Sequence, residues 1–163
     1  MSVTDELLRN NETYAASFGG ARPLPPARHV AVVACMDARL HIGRLLGLEE
    51  GDAHIVRNAG GAVTDDVLRS LAISQRLLGT REIVLIHHTD CGMLTFRDDA
   101  FRDSIEAETG IRPNWAAESF TDVDRDVAQS MARIRASRVL PHTDLLRGFV
   151  FDVATGRLRE VGG

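Results

Sequence analysis

The chain has 163 residues and a formal net charge of −4, from 19 Lys and Arg against 23 Asp and Glu. That length holds one domain with a substantial core, and the acidic balance argues against the phosphate-neutralising surface of a nucleic-acid binder. With 44% hydrophobic and 26% charged residues, and no apolar run long enough to cross a bilayer, it reads as an ordinary soluble globular protein.

The start, Met1-Ser-Val-Thr-Asp-Glu, has neither the basic nor the apolar stretch of a secretion signal, so a cytoplasmic location is expected. A structural disulfide is disfavoured in that compartment. Residues 4–18, TDELLRNNETYAASF, carry Leu7, Leu8, Tyr14, Ala15 and Phe18 as a loose helical stripe, and the breaker GGARPLPP follows. Residues 1–28 are therefore read as a helical arm and linker that packs on its own domain or on a second subunit, and residues 29–163 as the domain proper. HVAVVA predicts a buried strand, LHIGRLLGL a short helix and AHIV a second strand. DDVLRSLAISQRLLG follows as a helix, with Thr64 or Asp65 at its start, Gly79 at its stop, and Val67, Leu68, Leu71, Ala72 and Leu78 on one face. EIVLI is a third strand.

Two helices come next, DDAFRDSIEAETG and TDVDRDVAQSMARIRAS, the second with Val123, Val127, Met131 and Ile134 at core spacing. Arg133, Arg135 and Arg138 are read as the solvated basic end of that helix. RGFVFDV is a fourth strand, and ATG turns into RLREV, an antiparallel edge. Strands alternating with helices imply an α/β domain. The expected sheet has four mostly parallel strands in the order 2-1-3-4 plus that edge strand, with helices on both faces.

In such a sheet, sites form beyond the carboxyl ends of the strands, between the first and third, where strand order reverses. Cys35 ends the first strand in VAVVACMDAR; His88 and Cys91 end the third in EIVLIHHTDCG. Two thiolates and one imidazole suit tetrahedral Zn²⁺, and H-x-x-C lets one loop offer two ligands. Closed structural sites usually draw ligands from two short-spaced pairs, whereas Cys35 has no second Cys or His close by. Three ligands and a free fourth position is the catalytic pattern. Either adjacent histidine could ligate, but only His88 has the x-x spacing to Cys91. Asp37, two residues from Cys35, could take the fourth position itself or accept a hydrogen bond from zinc-bound water, with Arg39 holding it in the second role. The glycines of RNAGG, Arg57 to Gly61, permit a close backbone approach at the same edge or form a plain strand-to-helix turn. His29, His41, His54 and His142 match no ligand spacing.

CMDAR, RNAGG and HTDCG together resemble the beta-class carbonic anhydrases, over roughly residues 29–153. The resemblance implies that Cys35, His88 and Cys91 ligate zinc, that Asp37 and Arg39 form a dyad, and that dimers or larger homo-oligomers assemble by exchanging N-terminal arms. The implied activity is reversible hydration of CO₂ to bicarbonate and a proton, by attack of zinc-bound hydroxide on carbon. At low pH, Asp37 is the possible fourth ligand of a closed site. His87 and Met93 stand where the family commonly has glycine, and CMDAR replaces the usual C-A-D-S-R. These departures resemble a compact bacterial branch that also includes carbonyl sulfide hydrolases. The alternative is accordingly a COS or CS₂ hydrolase using the same chemistry, with a non-catalytic zinc-binding or sensing protein behind it.

Overall fold

A computed structural model describes residues 2–162; Met1 and Gly163, the outer ends of the two expected segments, lie outside it. Five strands form one sheet: β1 (Val30–Cys35), β2 (Ala53–Asn58), β3 (Glu82–His88), β4 (Leu146–Phe151) and β5 (Leu158–Glu160). Their order is β2-β1-β3-β4-β5, with β5 alone antiparallel. The helices are α1 (Val3–Ala16), α2 (Ile42–Leu46), α3 (Asp65–Arg76), α4 (Asp98–Thr109) and α5 (Val123–Ala136).

β1 lies inside the sheet and is covered on both faces, which is why VAVVAC reads as a continuous apolar run. The pleat divides its side chains. Ala31 and Val33, with Ile83 and Leu85 of β3, meet Val67 and Leu71 of α3 and Val127, Met131 and Ile134 of α5. Val32, Ala34 and Ile86 face the other way, onto Leu40, Ile42, Met93 and Phe120. Helices α3 and α5 thus share one face, while α2 and the chain after β3 cover the other. At Gly148 in β4, an added Cβ would lie 2.6 Å from Val127 Cγ1 and 2.7 Å from Met131 Sδ, so a side chain there would push α5 off the sheet.

Caps set the helix starts. Thr64 Oγ1 accepts from the Val67 amide at 3.4 Å, and Asp122 Oδ1 accepts from Asp124 and Arg125 at 2.9 and 3.0 Å. The end of α3 falls at Arg76, short of the expected stop at Gly79. The Thr80 amide takes the Ser74 carbonyl at 3.1 Å and the two hydroxyls pair at 2.6 Å, which closes the helix early. Gly79, at φ 74°, instead turns the chain toward β3. No residue of α1 is buried, and Val3, Leu7, Leu8, Tyr14 and Phe18 are exposed. Among the described residues, the one side-chain hydrogen bond from α1 to the domain runs from the Tyr14 hydroxyl to Glu50.

Candidate metal centre

The register brings the predicted donors together. Cys35 at the end of β1 sits beside Asn58 of β2, and His88 at the end of β3 beside Phe151 of β4. Cys35, His88 and Cys91 are all buried, and their ligating atoms lie within 4.8 Å of one another. His88 Nδ1 stands 2.9 Å from the Thr89 carbonyl, to which it donates, leaving the lone pair on Nε2. That Nε2 is fully buried and has no hydrogen-bond partner.

The two sulfurs lie within 4.8 Å of each other. The neighbouring Cys91 thiol outweighs the cost of burying charge and holds Cys35 below the usual thiol range, while the Cys35 sulfur and burial push Cys91 up. Cys35 is thus the sulfur that loses its proton more readily, beside an imidazole nitrogen without a hydrogen-bond partner. A cation displacing the thiol protons would recruit both sulfurs. This donor chemistry fits a tetrahedral zinc ion.

Asp37 borders the triangle, its Oδ2 3.7 Å from His88 Nε2, yet it is turned toward Arg39. Arg39 Nε donates to Asp37 Oδ1 at 3.0 Å and Nη2 to Oδ2 at 2.8 Å, a two-point grip that keeps the carboxyl well below the usual carboxylate range. His87 is not part of the triangle. Along β3 it follows Ile83 and Leu85 onto the α5 face, where Nδ1 lies 3.1 Å from Asp126 Oδ2, Nε2 lies 3.2 Å from the Gly61 carbonyl, and the ring stacks on Phe120.

Other residues build the site without touching the donors' ligating atoms. Arg57 Nε donates to the Cys35 carbonyl at 2.9 Å and Nη2 to the Asp37 carbonyl at 2.7 Å, which fixes the loop after β1. Gly61, at φ 71°, packs so tightly behind Cys35 that a Cβ would lie 3.0 Å from the Cys35 amide nitrogen. Thr89 donates its amide to the Phe151 carbonyl at 2.9 Å and accepts from the Val153 amide at 3.1 Å, binding the H-x-x-C loop to the exit of β4. In front of the donors opens a cavity of about 330 Å³ lined by Met36, Ala59, Met93 and Phe96 besides Asp37 and the cysteines. A second, of about 420 Å³, adjoins it through the same four residues and reaches Phe101 and Trp115. His41 caps α2 and His54 bonds Ser74, so neither approaches the triangle.

A carbonic anhydrase family model matches residues 30–140. Beta-carbonic anhydrase 1 of Mycobacterium tuberculosis is 62% identical over 161 residues, spanning 99% of each chain. The crystal structure of the carbonic anhydrase from Streptococcus mutans superposes with a TM-score of 0.93 at 44% identity, again over 99% of both chains. A carbon disulfide hydrolase of Acidithiobacillus thiooxidans is more distant, 34% identical over 83% of this chain and 78% of its own. The donor triangle, the dyad beside it and the sheet that carries them are accompanied by likeness along the whole length, and the chain belongs to the beta-carbonic anhydrase family.

Proposed function

We propose that this protein catalyses the reversible hydration of CO₂ to bicarbonate and a proton on a zinc ion held by Cys35, His88 and Cys91. The observation that carries the reading is the buried His88 Nε2, left without a hydrogen-bond partner beside the two buried cysteine sulfurs. Zinc held there supplies a Lewis acid that makes water nucleophilic toward the carbon of CO₂, less acidic than in a three-histidine site because two thiolates neutralise its charge. The protein does the rest by placement. Asp37, gripped by Arg39, presents an anionic oxygen that accepts a proton-bearing edge of the attacking water and so orients its lone pair. Arg57 and Thr89 hold the two donor loops, so little rearrangement accompanies reaction. Met36, Met93 and Phe96 present an uncharged wall to an uncharged substrate and limit the water around it. Asp37 is also the nearest further donor, the fourth ligand of a closed site should it leave Arg39.

We read the working assembly as a cytoplasmic homodimer or larger homo-oligomer, supported by the apolar residues that α1 leaves exposed. No helix among the described residues is long and apolar enough to cross a membrane. A second reading, hydrolysis of COS or CS₂ by the same site, is favoured by the apolar walls of the two cavities and by the carbon disulfide hydrolase relative. Stopped-flow CO₂ hydration and zinc content measured on one preparation test the first reading. About one zinc per chain with rapid hydration is expected; H₂S release from COS without CO₂ hydration would favour the second.

A further inference from the structure

We infer that Asp90 is a positioning residue of this centre: it anchors the outer edge of the Arg39 guanidinium so that the inner edge holds Asp37 in place. The inference rests on the reading of Cys35, His88 and Cys91 as metal ligands.

Asp37 and Arg39 belong to one short loop, two residues apart. A pair so close in sequence can turn as a unit, and its own hydrogen bonds do not place it relative to donors arriving from another strand. Asp90 supplies the missing constraint. Arg39 Nη1 donates to Asp90 Oδ2 at 2.7 Å and Nη2 to the Asp90 carbonyl at 2.9 Å. With Nε and Nη2 also donating to Asp37, the flat fork of N–H groups is nearly filled, and its plane is set by two carboxylates on two loops.

The location of Asp90 gives this contact its consequence. Asp90 is the second of the two residues between His88 and Cys91, and its neighbour Thr89 is already bound to the exit of β4. One short loop is therefore fastened on one side to β4 and on the other, through Asp90 and Arg39, to the exit of β1, which carries Cys35. Asp90 adopts φ 54°, a left-handed conformation that Asp and Asn tolerate better than other side-chain-bearing residues. Its backbone carbonyl and its carboxylate both meet Arg39 in that conformation.

Stability does not account for the arrangement. The side chain of Asp90 is 78% exposed and that of Arg39 46%, and ion pairs in so much water contribute little to folding. What the contact fixes is the direction in which Asp37 points.

The test separates the carboxylate from the backbone. Asp90→Gly keeps the left-handed turn and removes the side chain. Asp90→Asn keeps the turn and an oxygen that can accept from Nη1. We expect Asp90→Gly to lower kcat by about tenfold to a hundredfold, the usual cost of losing a group behind a ligand, with KM for CO₂ unchanged. Zinc transfer to a chromogenic chelator should quicken by a comparable factor, and Asp90→Asn should recover most of both. Wild-type kcat and zinc release in Asp90→Gly would overturn the inference. So would Asp90→Asn faring no better than Asp90→Gly, since charge alone would then be at work. A wild-type protein that binds no zinc would instead defeat the ligand assignment before any variant is compared, and this inference with it.

Discussion

Gly61 and Gly156 have the same backbone angle, φ 71°, in very different surroundings. A Cβ at Gly156, in the turn between β4 and β5, would meet nothing within 4 Å. At Gly61 it would lie 3.0 Å from the Cys35 amide nitrogen, 3.1 Å from the Ala34 carbonyl carbon and 3.1 Å from His87 Cδ2. Two of those atoms are backbone of β1, an inner strand, and cannot rotate aside. Gly156→Ala therefore reports left-handed strain alone, about 1–2 kcal/mol for an L residue. Gly61→Ala carries that strain and an overpacking cost of about 1–3 kcal/mol, which places it at about 2–5 kcal/mol. Restricting the unfolded chain stabilises both variants alike, by about 0.4–1 kcal/mol, and cancels in the comparison. Urea denaturation at fixed protein concentration measures both, and zinc content adds a local readout: Gly61→Ala should hold less metal because Cys35 is displaced, and Gly156→Ala should hold as much as the parent. Equal destabilisation of the two variants, or full zinc in Gly61→Ala, would refute the claim that Gly61 is required by the proximity of Cys35.

Cys35→Ser should lose zinc and CO₂ hydration together, activity falling by more than about a hundredfold, because a hydroxyl is a poor substitute for a thiolate ligand; metal analysis beside stopped-flow rates checks it. Deleting residues 1–20 should weaken self-association, read by sedimentation, if the exposed apolar residues of α1 join two subunits; a monodisperse, fully active monomer would contradict the oligomer reading. Asp98→Asn tests a pH dependence away from the metal centre. Burial disfavours charge on Asp98, but the hydroxyl and amide of Ser119 and the amide of Glu118 outweigh it and lower its pKa. A carboxyl lowered by folding stabilises the protein above its unfolded pKa, about 3.9, and that contribution disappears as pH falls through the folded value. Asp98→Asn should thus be less stable than the parent near pH 7, by about 1–2 kcal/mol, and the gap should close in acid. A gap independent of pH would show that the charge is irrelevant.

Much of this molecule was legible in its sequence for definite physical reasons. Strands covered on both faces read as unbroken apolar runs, so β1 and β3 stand out, and a parallel sheet directs chemistry to their carboxyl ends, where Cys35, His88 and Cys91 lie. The choice between His87 and His88 was contained in the pleat: Ile83, Leu85 and His87 share one face, and Val84, Ile86 and His88 the other. Deciding which face carries the site required knowing where α5 packs, and that is tertiary information. Arg57 and Asp90 lie inside the quoted RNAGG and HTDCG stretches, but their roles escaped notice because they depend on partners far along the chain, backbone carbonyls in one case and a guanidinium in the other. The early end of α3 was equally hidden. Gly79 is a plausible stop, but the Ser74 and Thr80 pairing that ends the helix at Arg76 is made of ordinary polar residues that carry no local signal.

The geometry also bears on how one scaffold can accommodate both carbonic anhydrases and carbon disulfide hydrolases. CO₂ and CS₂ are linear, uncharged and without a dipole, so hydrogen bonds in the ground state offer little to distinguish them. In this protein the cavity beyond the donors and Asp37 is walled largely by Met36, Ala59, Met93 and Phe96, and it opens into a second apolar space. Two of those four are methionines, flexible side chains that adapt to a guest more readily than branched ones. Such a wall is a weak sieve: a difference of one atom's bulk in an apolar pocket is worth only about 1–3 kcal/mol. Selectivity must then arise where charge develops, at the oxygen or sulfur that turns anionic as the carbon is attacked. The groups closest to that event are the donor triangle and the Asp37 carboxylate, whose position Arg39 sets. A change of substrate within this family therefore requires less alteration of the core than of the walls and of the clamp on Asp37.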